Sequence, residues 1–177
     1  MAASTTEAPS DPKLLEVGMG YCSEPIIGIS ADALWGAMLS KVEAPEQFMP
    51  VADVHLADIA GGTWRSMTWA GPGPFGRVIL EKIFADRSAA EIRFVILEST
   101  GGGRETDEEV VNAMLSQGRE TDEEVVNAML SHPLRVEYFK RSVSTKARLH
   151  YGAPRAGCVG AIAKTVELAR SLVLPPA

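Results

Sequence analysis

The sequence is poor in the residues that build metal centres and disulfide frameworks. Its 177 residues include two cysteines, Cys22 and Cys158, and three histidines, none of which has the spacing of an HExxH-type site. So few cysteines exclude a dense disulfide scaffold and favour a reducing, cytoplasmic setting. Histidines in this arrangement do not indicate a zinc site. We therefore expect no metal and no other cofactor.

Positive charge and long apolar runs are also scarce. The chain carries 17 Lys and Arg against 23 Asp and Glu, a net charge of −6, which argues against a nucleic-acid partner or an anionic membrane surface. Residues 1–12 lack both the basic and the apolar region of a signal peptide, and no membrane span is expected. With 46% apolar residues, the composition predicts a flexible tail over 1–12 and one domain over 13–174.

The strongest pattern that is present is an internal repeat. The fourteen residues GRETDEEVVNAMLS occupy positions 103–116 and recur at 118–131, separated by Gln117. A Thr three residues before a Glu resembles a capping box and favours a helix, whereas the alternating Val, Ala and Leu favour a strand. We expect only one copy to belong to the original fold. The other is expected to form an inserted loop, an extra hairpin arm or a short helix.

The remaining chain alternates between period-two and helical patterns. These predict strands, helices and turns in the following order: strand 14–22, helix 31–41 capped by Ser30, helical turn 45–49, strands starting at 51 and spanning 63–70, 77–84, 91–98, 134–141 and 145–151, and helix 157–173. Val159, Ile162 and Val166 form the predicted contact stripe of the last helix. This order predicts an α+β helix-grip fold, in which a curved antiparallel sheet wraps around a long C-terminal helix and two short helices follow the first strand.

One segment also carries a family resemblance. ISADALWGAMLSKVEAPEQFMPVADVHL, residues 29–56, resembles the start of the START-like and birch-pollen-allergen-like superfamily. The features in common are an early strand, a helix with Leu34-Trp35, and a proline-acid-aromatic turn at Pro45, Glu46 and Phe48. The AtaL-like group of small proteins is the closest comparison. The likeness extends less specifically through the strands to the terminal helix.

The resemblance implies a cavity between the sheet and the C-terminal helix. In this superfamily such cavities bind sterols, lipids, polyketides and other apolar molecules, and a minority of members catalyse cyclisation, dehydration or hydrolysis. The expected ligand-binding residues are Trp35, Met67, Trp69, Phe94, Tyr138, Ile162 and Val166. Two functions remain open: a binder or carrier of an apolar small molecule, and a cyclase, isomerase or hydrolase using the same cavity. The spare repeat copy also makes a homodimer possible.

No residue carries a recognisable catalytic motif. His55, His132 and His150 lack a companion signature and are interpreted as surface residues. The acidic clusters at 107–109 and 122–124 are interpreted as solvated surface. Three other polar side chains could contact a ligand, although strand phase alone does not place them in the cavity: Glu81, Asn112 and Arg141.

Overall fold

The computed structural model describes residues 20–72, 77–97, 119–152 and 155–173. Its elements are β1 Tyr21–Cys22, α1 Ala31–Glu43, a 3-10 turn Pro45–Gln47, β2 Val51–Ile59, β3 Gly62–Trp69, β4 Val78–Asp86, β5 Glu91–Leu97, β6 Glu120–Ser131, β7 Leu134–Ser142, β8 Arg148–Leu149 and α2 Arg155–Ser171. The predicted tail, the start of the predicted first strand and the first repeat copy with Asn112 lie outside the described residues.

The strands form one antiparallel sheet with the order β1-β7-β6-β5-β4-β3-β2, and β8 also pairs with β7. Helices α1 and α2 pack against each other, and α2 also contacts β1 and β7. The sheet is curved, and the helices cover its concave face. The predicted helix-grip fold is therefore confirmed. Within the described ranges, neither helix has the length and apolar character needed to cross a bilayer.

Helix α1 begins where the sequence predicts. The Ser30 side chain accepts a hydrogen bond of 3.1 Å from the backbone N–H of Ala33, which satisfies one of the free donors at the helix start. The helix continues to Glu43, two residues beyond the predicted end at Lys41. Pro45 then opens the 3-10 turn, a position where its missing N–H costs nothing.

The contact face of α2 differs from the predicted stripe. Ile162 is buried and Val166 packs against the main core, but Val159 is 47% exposed, so its predicted packing is wrong. The buried face instead consists of Cys158, Ala161, Ile162, Thr165 and Ala169. This face has the expected helical spacing. Ile162 belongs to the predicted stripe, but Cys158, Ala161 and Thr165 do not, because they are small or polar and the prediction followed the bulkier apolar residues.

The second repeat copy forms β6, so the strand interpretation is right for this copy and the helical one is wrong. The hydroxyl of Thr121 donates a 2.9 Å hydrogen bond to the carbonyl of Ile96 and accepts one of 3.2 Å from the N–H of Glu123. Both edges of β6 are paired, with β5 and with β7. Ladder hydrogen bonds and packing on both sides outweigh the local helical preference.

Candidate functional site

The concave face of the sheet carries a cluster of buried charged side chains beneath α1. Lys41 comes from the last turn of the helix, Arg65 from β3 and Glu81 from β4, and each is less than one tenth exposed. Charged side chains are almost never this deeply buried unless they are paired. The hydrogen-bond and ion-pair partners of each side chain therefore indicate whether it stabilises the fold or is available for another role.

Arg65 is fully engaged. Its Nε and Nη2 atoms donate to Glu81 Oε2 at 3.2 and 2.7 Å, and the two residues are directly paired across β3 and β4. Its Nη1 atom donates to the backbone carbonyls of Lys41 and Val42 at 2.8 and 3.0 Å. These carbonyls belong to the C-terminal turn of α1, where a positive charge complements the helix dipole. Arg65 therefore fastens the end of α1 to the sheet.

Lys41 has different surroundings. Its Nζ atom lies 4.0 Å from the ring centroid of Tyr138 and 5.5 Å from that of Phe94. In the described part of the chain, no carboxylate oxygen forms an ion pair with it. Burial, followed by the charge of Arg65, lowers the pKa of Lys41 from 10.5 to about 7, against the opposing effect of Glu81. Near neutral pH a substantial share of this amine is therefore uncharged.

Tyr138 links the sheet to α2. Its hydroxyl lies 2.7 Å from Thr165 Oγ1, which in turn donates to the carbonyl of Ala161 at 2.9 Å. Since the Thr165 proton is directed to Ala161, the Tyr138 hydroxyl is the donor of the shared bond. Burial raises the pKa of Tyr138 and that of the neighbouring Cys158 thiol. Both groups are therefore neutral at physiological pH.

Asn127 is a buried polar group without a partner. Its side chain is fully buried, and neither its amide nitrogen nor its amide oxygen has a hydrogen bond among the described residues. Trp64 Nε1 and Arg135 Nε are also unpaired, but both belong to the other face of the sheet. Asn127 pairs in register with Tyr138 on one side and Ile92 on the other, which places it on the concave face. An unmade hydrogen bond costs about 1–3 kcal/mol for each buried group.

The seven predicted ligand-binding residues do not all lie together. Phe94 and Tyr138 form the aromatic floor beneath Lys41, and Ile162 and Val166 belong to the same core cluster. Trp35 is also part of that cluster but stacks under the guanidinium of Arg87 at 5.3 Å. Met67 is buried on β3. Trp69, at the end of β3, is half-buried, and its Nε1 donates to the carbonyl of Pro72 at 3.0 Å.

Two clefts lie at the end of α1, beside the first strands of the sheet. One, of about 340 Å³, has an apolar wall made by Leu39, Val42, Leu56, Ile83 and Ala85. The other, of about 450 Å³, includes Glu43, Glu46 and Asp53 in its lining. None of the seven predicted residues lines either cleft. The enclosed cavity between sheet and helix remains a prediction.

The other polar candidates divide between the two faces. Glu81 lies in the interior, whereas Arg141 lies on the convex face and binds Glu124 and Glu91. The interpretation of cluster 122–124 as solvated is wrong for Glu124, whose side chain is 0% exposed. Hydrogen bonds from Arg141 and Lys146 outweigh the effect of burial and lower the pKa of Glu124. The three histidines are exposed, as predicted.

Lys41, Arg65 and Thr165 were not identified as site residues from the sequence. Each interrupts an apolar pattern: Lys41 follows Met38 by three residues on the buried face of α1, and Arg65 alternates with Met67 on β3. Thr165 lies between Ala161 and Ala169 on the buried face of α2. A polar residue at a core position of an amphipathic element was the signal that could have found them.

Comparison with known proteins places the fold. No family model and no curated protein matches the sequence. A solved structure described as the di-domain ARO/CYC StfQ from the steffimycin biosynthetic pathway superposes with a TM-score of 0.55 at 8% identity, covering 87% of this chain and 52% of that one. The chain therefore spans about half the length of that protein.

Two other solved structures superpose with TM-scores below 0.5. Norcoclaurine synthase from Thalictrum flavum has a TM-score of 0.49 at 15% identity, covering 88% of this chain and 87% of the other. Ginseng major latex-like protein 151 from Panax ginseng has a TM-score of 0.44 at 11% identity, covering 88% and 97%. At these identities, what the chain shares with known proteins is the helix-grip fold.

Proposed function

We propose that the chain binds a small molecule with an apolar body and a hydrogen-bonding group, held between the concave face of the sheet and the two helices. The observation that carries this proposal is Asn127, whose amide is fully buried on the concave face with both polar atoms unpaired. Buried polar groups in native proteins are normally satisfied, and an unpaired one is explained by a bound water or ligand. Phe94 and Tyr138 supply the adjoining apolar surface.

The cleft beside α1 is the proposed entrance. Val42 and Ile83 contribute both to its wall and to the core cluster that contains Phe94. Ile83 is directly paired with Phe94 across β4 and β5, so the cleft wall adjoins the aromatic floor. A volume of about 340 Å³ lies within the range of small-molecule sites. Membership of the AtaL-like group and a homodimeric state remain predictions.

A displacement assay tests the proposal. Nile red, a neutral environment-sensitive dye, is expected to bind saturably and to be displaced by 2-acetylnaphthalene and by 2-methylnaphthalene. The ketone is expected to compete more strongly because its oxygen can accept a hydrogen bond from the Asn127 amide. Asn127→Leu should reduce the preference for the ketone over the hydrocarbon about tenfold, which corresponds to the free energy of one hydrogen bond.

The duplication offers a matched control for this assay. Asn112 has the same sequence neighbours as Asn127, and Asn112→Leu is expected to leave the preference for the ketone unchanged. Absence of saturable dye binding would refute the proposal. An equal loss in both variants would refute the role assigned to Asn127.

The second candidate is an enzyme that acts on a hydrophobic intermediate, as a cyclase, isomerase or hydrolase. Lys41 favours this candidate, since an apolar carrier gains nothing from a buried amine without a carboxylate partner. The solved structure with the same fold is named as an ARO/CYC of a biosynthetic pathway, although this chain spans about half of it. Turnover of a supplied ketone, absent from Lys41→Met, would support catalysis.

A further inference from the structure

We infer that Lys41 is a nucleophile that forms an imine with the aldehyde or ketone group of the bound molecule. This inference rests on the proposed function and goes beyond it by assigning a substrate class and a reacting atom. It stands on three features of the concave face: a buried amine, an aromatic floor beneath it, and an unpaired amide beside that floor.

The position of the amine is the first of these features. Lys41 is 5% exposed, and its Nζ atom lies above the rings of Tyr138 and Phe94. Among the described lysines, Lys82, Lys140 and Lys146 each form an ion pair with a glutamate, and Lys164 is exposed. A desolvated lysine next to another cation keeps a larger share of neutral amine, the form that attacks carbonyls. Arg65 is that cation, and Glu81 already accepts two hydrogen bonds from it.

The second polar group supports the same assignment. Asn127 is the in-register neighbour of Tyr138, whose ring lies beneath Lys41 Nζ. Directly paired residues in a sheet have Cβ atoms about 5 Å apart, so the Asn127 side chain lies beside that of Tyr138, which is in contact with Lys41. The Asn127 amide can donate a hydrogen bond to an oxygen of the bound molecule while Lys41 Nζ attacks the carbonyl carbon of the same molecule. No separate metal or redox partner is needed for this step.

The reaction balances within these groups. The Lys41 lone pair attacks the carbonyl carbon, a C–N bond forms, and the carbonyl oxygen leaves as water with the two amine hydrogens. The product is a C=N bond between Lys41 and the former carbonyl carbon. Protonation of that imine gives a cation, which the face of the Tyr138 ring stabilises. Hydrolysis reverses the step and returns the free amine.

Reductive trapping tests this inference. The full chain is incubated at pH 7 with 2-naphthaldehyde and sodium cyanoborohydride, which reduces the imine to a stable secondary amine. Intact-mass and peptide mapping are expected to find at least about tenfold more adduct on Lys41 than on the exposed Lys164, because burial increases the share of neutral amine at Lys41, the form that attacks carbonyls. Lys41→Met should abolish this dominant adduct, and the matched variant Lys164→Met should retain it.

The possible outcomes separate this inference from the function on which it rests. Saturable Nile red binding together with equal labelling of all lysines would overturn the imine assignment and leave the binding function intact. Loss of both dye binding and Lys41 labelling would overturn both. Because the adduct is mapped in the chain without substitutions, the result does not depend on whether Lys41→Met folds.

Discussion

Glu124 on the convex face and Lys41 on the concave face are both buried charges, but their surroundings are opposite. Glu124 accepts hydrogen bonds from Arg141 at 2.6 Å and from Lys146 at 3.1 Å, and Arg141 also binds Glu91. Lys41 rests on two aromatic rings and has no carboxylate partner in the described part of the chain. The burial of Glu124 is therefore explained by the ion pairs that it forms, which stabilise the structure.

The unpaired amine is not explained in that way. A buried charge without a partner lowers stability, and so does the unpaired amide of Asn127. Residues that lower stability and lie together on one face are characteristic of functional sites, where activity is retained at the expense of stability. The comparison therefore predicts that removing a paired charge destabilises the convex face, whereas removing an unpaired polar group stabilises the concave one.

Glu124→Leu should have the largest effect. It leaves Arg141, Lys146 and Arg93 without their shared carboxylate, and breaking a buried ion pair typically costs about 3–5 kcal/mol. Since Lys146 and Arg93 are partly exposed, we expect a loss near the lower end, about 3 kcal/mol. Urea denaturation measures it.

The repeat again supplies the control. Glu109→Leu makes the same change at the same place in the first copy, and it is expected to alter stability by less than about 0.5 kcal/mol. Equal losses in both variants would mean that both glutamates are buried in ion-pair networks, and the comparison of faces would then need revision.

These two variants also mark how far the sequence predicts the structure. Strand alternation and the Ser30 cap predicted the element order, because both are local patterns that survive into the fold. The choice between identical copies is not local. The second copy precedes β7 by only His132 and Pro133, so it can form a tight hairpin with that strand. The short spacing between the second copy and β7 is visible in the sequence, but a prediction based on side-chain patterns alone does not take it into account.

The site was less predictable than the fold for a related reason. Phe94 and Tyr138 were identified because large aromatic residues dominate hydropathy patterns, and Lys41 was missed because a lysine near a helix end is ordinarily solvated. The helical turn that carries Lys41 is held against the sheet by Arg65, which binds the carbonyl of Lys41 from a strand distant in sequence. Periodicity places Lys41 on the buried face of α1, but this contact with Arg65 is tertiary and does not follow from local periodicity.

Lys41→Met should produce the next largest change, with the opposite sign. Methionine fills similar space without a charge, and we expect the free energy of unfolding at pH 6 to increase by about 2 kcal/mol. Lys164→Met, on the exposed side of α2, should change it by less than about 0.5 kcal/mol. A destabilised Lys41→Met would show that the amine has a stabilising partner.

The pH dependence of this difference follows from the pKa of Lys41. The groups that face the amine are Arg65, Glu81, Tyr138 and Cys158. The pKa falls from 10.5 in the unfolded chain to about 7 in the folded one, so between these values the unfolded chain binds more protons. The contribution of Lys41 to the free energy of unfolding therefore rises with pH across this window. The advantage of Lys41→Met should be greatest below pH 7 and shrink towards pH 10.

Tyr138→Phe should have a smaller effect. It removes the hydrogen bond to Thr165 but leaves Thr165 bonded to the carbonyl of Ala161, so no donor is left unpaired. The expected loss is about 1 kcal/mol, the net value of one hydrogen bond. The phenylalanine ring still lies beneath Lys41, so trapping by 2-naphthaldehyde should persist. Loss of trapping in a folded variant would show that the hydroxyl takes part in the reaction.

Deleting residues 103–117 should have the smallest effect on stability. Leu97 and Glu120 are directly paired, so the ends of the connection between β5 and β6 are already adjacent. The deletion leaves Glu98, Ser99, Thr100, Gly101, Gly102, Gly118 and Arg119 between them, a length and glycine content suited to a hairpin loop. Loop-closure free energy changes by only about 0.6 kcal/mol for each doubling of length, so we expect a folded protein within about 1 kcal/mol of the full chain.

Urea denaturation together with Nile red binding would measure the effect of this deletion. A deletion variant that unfolds or loses binding would show that the first copy is integral to the domain, and the assignment of β6 to the second copy alone would have to be abandoned.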